Sequence, residues 1–146
     1  MRPRFWELPL RDLDSREWEA LCDGCGKCCL NKLEFEDTDE LAFTRIACRL
    51  LDGQTCRCTR YETRHQYVPE CVSLTPDKIK DITYWLPATC AYRLRAEGRA
   101  LPEWHYLISG DREAVHRAGA SVRGWTLSEA AIPEEDWEDY IIEDLS

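Results

Sequence analysis

Long apolar runs are missing from this chain: no stretch approaches the roughly 20 residues that a helix needs to cross a bilayer, so membrane insertion is not expected. The amino terminus, MRPRFWELPLRDLDSREW, also lacks the uninterrupted apolar stretch of an export signal, because charges recur from Glu7 onward. A cytoplasmic setting is therefore expected. Lys and Arg are absent from residues 124 to 146, which hold eight acids, so most of the net charge of −9 belongs to that segment and −1 remains for everything before it. Without a basic stripe to neutralise phosphates, neither nucleic acid nor an anionic membrane is an expected partner. A glycine-rich phosphate loop, a serine nucleophile elbow and a methyl-donor motif are also lacking. Acid pairs such as Asp37 with Asp39, or Glu134 with Glu135, have no nucleophile or pocket set against them. Catalysis has no motif of its own here.

Cysteine is what the chain has in excess, nine in 146 residues. A compartment that keeps thiols reduced makes disulfides the weaker explanation, and an odd count would leave one thiol over. Metal ligation is the stronger one. Eight of the nine fall between Cys22 and Cys71, and burial of so many thiols in so short a span as mere packing is implausible. Cys22, Cys25, Cys28 and Cys29 form C-x2-C-x2-C-C, a spacing that lets one short loop turn several thiolates toward a centre, with Gly24 and Gly26 supplying the turns. Lys27 beside them favours their ionised form. Cys48, Cys56, Cys58 and Cys71 make a second group, in which Cys56 and Cys58 share a face if that segment is extended.

Eight thiolates are enough for two four-ligand sites, or for one site with structural thiols left over. Adjacent side chains diverge, so Cys28 and Cys29 are hard to direct at one ion, whereas a cluster of several irons accepts both. This favours an iron–sulfur centre, [4Fe–4S]-type, with zinc as the alternative. The ferredoxin run C-x2-C-x2-C-x3-C-P is not matched, and the paired C-x2-C knuckles of zinc ribbons are missing from the second group. Either metal contributes to folding, since a structural four-ligand zinc site stabilises a small domain by on the order of 10 kcal/mol.

The expected architecture is a mainly helical single domain over residues 1–146, with irregular loops at 22–71 wrapped around the centre. Asp14 or Ser15 caps a short helix running to Leu21. Thr38, Asp39 and Glu40 open a second helix to about Leu51, with Phe43, Ile46, Ala47 and Leu50 on its apolar face and Gly53 after it. TPDKI starts a third at Thr75, closed by Pro87, and Ala88 to Glu97 a fourth, ended by Gly98. Asp111 to Ala118 repeats the same start and stop, residues 120 to 127 suit a short strand, and an acidic amphipathic helix covers about 133–144 with Trp137, Tyr140 and Ile141 at helical spacing. Cys90, among Ala88, Ala91 and Leu94, reads as core packing. His65 lies nearest the cysteines, His116 reads as surface, and His105 reads as a partly buried polar residue, with a ligand or acid–base role as the sharper alternative. Trp104, Trp125 and Trp137 read as core or interface anchors.

The blocks CDGCGKCC, ACRLLDGQTCRCTRYETRHQYVPEC, DITYWLPATCAYRL and LPEWHYLISG, in that order and with Tyr61, Arg64 and Pro69 near the second cysteine group, resemble the CxxCxxCC cysteine-cluster family of zinc- or iron-chelating proteins in its YcgN-like bacterial branch. The resemblance covers nearly the whole chain. It implies a bound metal or iron–sulfur centre in the cytoplasm, and some larger relatives resemble a flagellin lysine methylase. Three functions follow as expectations: an iron–sulfur protein in redox, sensing or metal handling; a structural zinc module for an unknown protein partner; or an accessory or enzyme subunit of a modification system, with His105 near its cleft.

Overall fold

A computed structural model of the chain describes residues 2–35, 41–69, 71 and 74–142. In chain order the elements among them are α1 (Ser15–Ala20), β1 (Leu30–Glu34), β2 (Leu41–Ala47), α2 (Arg64–Tyr67), α3 (Ile79–Ile82), α4 (Ala91–Ala96), α5 (Tyr106–Ser109), α6 (Ala114–Arg117), β3 (Leu127–Ser128) and β4 (Ile141–Ile142), with short 3-10 turns between them. Cα packing groups Met1–Cys25 with Val72–Ala120 as one compact unit and Gly26–Cys71 with Ser121–Ser146 as another.

The first unit is built from short helices. Asp14 caps α1 by accepting from the Glu17 amide at 2.8 Å, and Glu17 accepts from the Asp14 amide at 3.0 Å, a reciprocal box that satisfies two donors the helix end would otherwise leave unpaired. Arg2 closes over the same carboxylate, its Nη2 on Oε1 at 2.6 Å and its Nε on Oε2 at 3.1 Å, with Glu17 itself 0% exposed. Phe5, Leu13, Trp18, Leu21, Ile79, Leu86, Ala91 and Tyr92 form the core. Its two polar aromatics are satisfied: Trp18 Nε1 donates to the Leu74 carbonyl at 3.0 Å and Tyr92 OH to the Trp18 carbonyl at 2.7 Å. A smaller cluster joins Cys25, Val115 and Ala120, with Trp104 packed on it.

The second unit is a mixed sheet in the order β1-β2-β3, with β4 also paired to β2. β1 and β2 are antiparallel, setting Leu30 opposite Ala47 and Lys32 opposite Phe43 with an irregularity between them; β3 joins β2 in parallel and β4 antiparallel. Leu30, Ala47, Cys56 and Val122 form its core, with Phe43, Leu51, Trp125 and Ile142 packed around it. At Gly26 the chain turns with φ +78°, and a Cβ there would lie 2.8 Å from Val122 Cγ2, so both the turn and the close approach require glycine.

This sheet overturns the mainly helical expectation. Phe43, Ile46, Ala47 and Leu50 do keep helical spacing, yet residues 41–47 are β2, because Phe43, Thr44 and Ile46 are aromatic and β-branched and suit a pleated surface. Thr44 takes a buried position by donating Oγ1 to the Asn31 carbonyl at 2.8 Å, while the apolar Leu41, Ala42 and Phe43 are only partly buried and Arg45 is exposed, so the polar–apolar alternation that would mark a strand is broken. The expected cap at Thr38, Asp39 and Glu40, and the Asp37–Asp39 pair, lie outside the described residues. At Thr75 the chain makes a turn, with the Lys78 and Ile79 amides on its carbonyl, before α3 begins at Ile79. The strand anticipated over 120–127 is confined to Leu127–Ser128, and Glu134–Tyr140 is a 3-10 turn that leads into β4.

Candidate metal centre

The second unit gathers five thiols through its backbone. After Gly26 a 3-10 turn at Lys27–Cys29, closed by the Cys29 amide on the Gly26 carbonyl at 3.1 Å, sets Cys28 and Cys29 at the start of β1. Cys48 directly follows β2, and its amide donates to the Cys29 carbonyl at 2.8 Å. From Leu50 the chain loops out and returns. Asp52 Oδ1 accepts from the Gln54 and Thr55 amides, the Thr59 amide and Oγ1 both reach the Leu50 carbonyl at 2.7 Å, and Leu51 bridges to Cys58. This closure returns Cys58 alongside the strand end that carries Cys48. α2 then fixes Cys71: the His65 ring bonds its carbonyl at 2.9 Å, the Cys71 amide donates to the Val68 carbonyl at 3.0 Å, and the Arg64 guanidinium hydrogen-bonds its thiol.

Three of these thiols, Cys29, Cys48 and Cys71, are raised above the ordinary thiol range, each in part by the charge of other cysteines in the set. The Cys29 thiol is pushed up first by a hydrogen bond with Cys28, then by burial, then by the charges of Cys28, Cys48 and Cys58. Burial raises Cys48, and the charges of Glu129, Cys71 and Cys58 add to it. Burial also raises Cys71, against the Arg64 charge and hydrogen bond, with Cys28 and Cys58 pushing the same way as burial. Lys32 faces the group from β1. Burial pulls its ammonium down while Cys28, Cys29 and Cys71 pull it back up. The raised thiols Cys29, Cys48 and Cys71 are donors suited to a soft or borderline cation, whose positive charge would favour the thiolate. Among the described residues, no three His, Cys, Asp or Glu side chains stand arranged to hold a metal ion.

Cys56 takes a different environment from Cys58. Its φ of +62° breaks the extended geometry under which both would share a face, and the side chain, 4% exposed, packs with Leu30, Ala47 and Val122. Burial raises this thiol, against hydrogen bonds from the Ser121 side chain and the Val122 backbone.

Cys22 and Cys25 belong to the first unit, where Cys22 is exposed and Cys25 lies in the cluster with Val115 and Ala120. Asp23 Oδ1 accepts from the Cys25 amide at 3.0 Å, and its Oδ2 is buried with no hydrogen-bond partner among the described residues. His105, 0% exposed, spans the approach to this loop: one ring nitrogen, Nε2, bonds the Leu21 carbonyl at 2.8 Å, and Nδ1 accepts from the Leu107 amide at 3.1 Å. The carbonyl requires the proton on Nε2, so the ring is neutral, and burial holds its pKa below the ordinary value against the Leu21 bond and Asp23. Tyr106 OH donates to the Ala20 carbonyl beside it. His105 thus clamps α5 to the end of α1 with both nitrogens engaged. Cys90 occupies the N-cap position of α4 and packs against the main core. Lys32 was not legible as a neighbour of the thiolates; its only signal is a position four residues after Cys28 in what proves to be a strand.

No helix among the described residues is long and apolar enough to cross a membrane. The family model described as "CxxCxxCC: Putative zinc- or iron-chelating domain" matches residues 21–91. A UPF0260 protein of Rhodobacter capsulatus is 74% identical over 99% of this chain and 97% of its own length. UPF0260 proteins of Sinorhizobium fredii and Pseudomonas aeruginosa are 57% and 55% identical, each over 94% of this chain and over 89% and 93% of their own lengths. No solved structure matches. The chain therefore belongs to the UPF0260 family of cysteine-cluster proteins, whose shared domain is described as zinc- or iron-chelating.

Proposed function

We propose that this is a cytoplasmic metal-binding protein whose second unit holds a [4Fe–4S]-type iron–sulfur cluster on thiolates drawn from Cys28, Cys29, Cys48, Cys58 and Cys71, in redox, sensing or metal handling. What supports this reading is that the charges of Cys28, Cys48 and Cys58 bear on Cys29, and those of Cys28 and Cys58 on Cys71, with Cys28 and Cys29 adjacent in sequence. A cluster of several irons accepts neighbouring thiolates on different metals, whereas one tetrahedral ion demands that they meet at a point. When bound, the cluster supplies one-electron redox chemistry. The chain supplies the thiolates, the fixed backbone that spaces them, and the cations Lys32 and Arg64 beside them.

A structural zinc module serving an unidentified protein partner is the second reading. It is favoured by the fact that Cys29, Cys48, Cys58 and Cys71 come one each from four segments, the count a closed tetrahedral site takes. Anaerobic purification after expression with iron and zinc both supplied separates the two. Iron and acid-labile sulfide in equal amounts with visible absorbance support the cluster, while a colourless protein with stoichiometric zinc replaces it by the zinc module. Protein free of both metals overturns both. An acid–base role for His105 is not carried forward, because both ring nitrogens are engaged with the backbone.

A further inference from the structure

The second unit carries its two signs of charge on separate stretches. Residues 41–69 hold five arginines against two acids, whereas residues 124–146 hold eight acids and no Lys or Arg. Arg57 and Arg60 are exposed, and so are Tyr61, Glu62 and Tyr67 beside them, the two tyrosines at 49% and 47%. Arg60 lies 5.7 Å from the Tyr67 ring centroid and Arg64 4.2 Å from that of Tyr61. A guanidinium laid on an aromatic face is held in place yet keeps its charge and its N–H edge for an anion. Among the described residues, Arg57 and Arg60 make no ion pair.

The acids of the other stretch are ordered by the 3-10 run Glu134–Tyr140. At three residues per turn, positions three apart stack in one row. Trp137 and Tyr140 share the row that is partly buried, which leaves the rows Glu135 with Glu138 and Asp136 with Asp139 exposed. The run is pinned to its own unit: Trp137 Nε1 donates to the Ile132 carbonyl at 3.1 Å, and β4, directly after it, pairs with β2. Pinned there, these four carboxylates also make no ion pair among the described residues.

We propose that the arginine–tyrosine face around Arg57 and Arg60 receives the acidic run 134–140 of a second copy of this chain, in a two-fold dimer. Charge complementarity selects that occupant. A net charge of −9 on each copy opposes association in general, so a favourable docking is one that sets carboxylates on arginines. A two-fold axis makes the contact twice from the same two patches and closes the assembly. The inference does not depend on the metal-site reading.

Sedimentation equilibrium of the full chain as purified, at roughly 0.1 M salt where charges are screened beyond about 10 Å, tests it. Wild type is expected to dimerise as concentration rises. Arg57→Glu with Arg60→Glu, and separately Glu135→Lys with Glu138→Lys, should each weaken self-association by about tenfold or more through like-charge contact. An equimolar mixture of the two reversed proteins should dimerise again, because a reversed face then meets a reversed run at one contact and a native face a native run at the other. Urea midpoints and metal content of each protein check that the fold is kept, and the single reversals Arg60→Glu and Glu138→Lys replace the pairs if those do not fold. Wild type that stays monomeric overturns the inference and leaves the face to a foreign acidic chain. A dimer that either reversal leaves intact also overturns it, as does a mixture of folded variants that stays monomeric.

Discussion

Replacing Gly26 by alanine tests whether this turn is the pivot on which the second unit closes. At φ +78° an L-residue sits in the left-handed region, at about 1–2 kcal/mol. The new methyl group would also stand 2.8 Å from Val122 Cγ2, 3.1 Å from Cys56 Cβ and 3.2 Å from the Cys56 carbonyl oxygen. Overfilling a packed core costs about 1–3 kcal/mol, so Gly26→Ala is expected to destabilise by about 2–5 kcal/mol in all. Gly24 is the internal control: its φ is +79°, but a methyl group there would meet nothing within 4 Å, so only the backbone share of about 1–2 kcal/mol applies. Urea unfolding of the metal-free chain, followed by tryptophan fluorescence, should show midpoints falling in the order wild type, Gly24→Ala, Gly26→Ala. With a slope of about 2 kcal/mol per molar urea, the larger loss is a shift of roughly 1–2.5 M. A Gly26→Ala midpoint equal to or above that of Gly24→Ala would refute the close approach to Val122 and Cys56.

Cys56→Ala is expected to keep the wild-type metal content while Cys58→Ala loses it, a contrast that elemental analysis of the purified variants reads directly. His105→Ala should destabilise by about 1–3 kcal/mol through the orphaned Leu21 carbonyl, measured by thermal unfolding, with metal loading by the second unit unchanged. Because the folded His105 pKa lies below the unfolded value of about 6.5, the unfolded chain takes up the proton first as pH falls. Its contribution is thus complete above that value and lost on acidification below it, a slope that His105→Gln should flatten. Glu17 is held down to about 2, first by the Arg2 side-chain hydrogen bond and then by the Asp14 amide. The stability it lends is present above the ordinary carboxylate range and lost as pH drops toward 2, so a pH series of urea midpoints should show an acid-side decline that Glu17→Gln removes.

Local chemistry was readable where it acts within a few residues. Asp14, one of the two cap candidates, does cap the first helix, and Gly98 ends the helix before it at φ +75°, as its position suggested. The CxxCxxCC cysteine-cluster family, too, was legible from its cysteine blocks. The sheet was not, because β2 buries Thr44 while Leu41, Ala42 and Phe43 stay partly exposed and so lacks the alternation that marks a strand, and β1 takes its identity from pairing with it. The difference between Cys56 and Cys58 escaped for another reason. Nothing in a non-glycine residue signals φ +62°, and that single angle sends Cys56 into the apolar cluster. The charged neighbours of the thiols were hidden because Lys32 and Arg64 reach them only through the β1–β2 pairing and the placement of α2.

The hydrogen bond from the Cys48 amide to the Cys29 carbonyl, with the Thr59 amide on the Leu50 carbonyl, ties three thiol-bearing stretches together through the main chain. The relative placement of these stretches is therefore written into peptide hydrogen bonds, and a side-chain substitution at any one of the cysteines leaves those bonds in place.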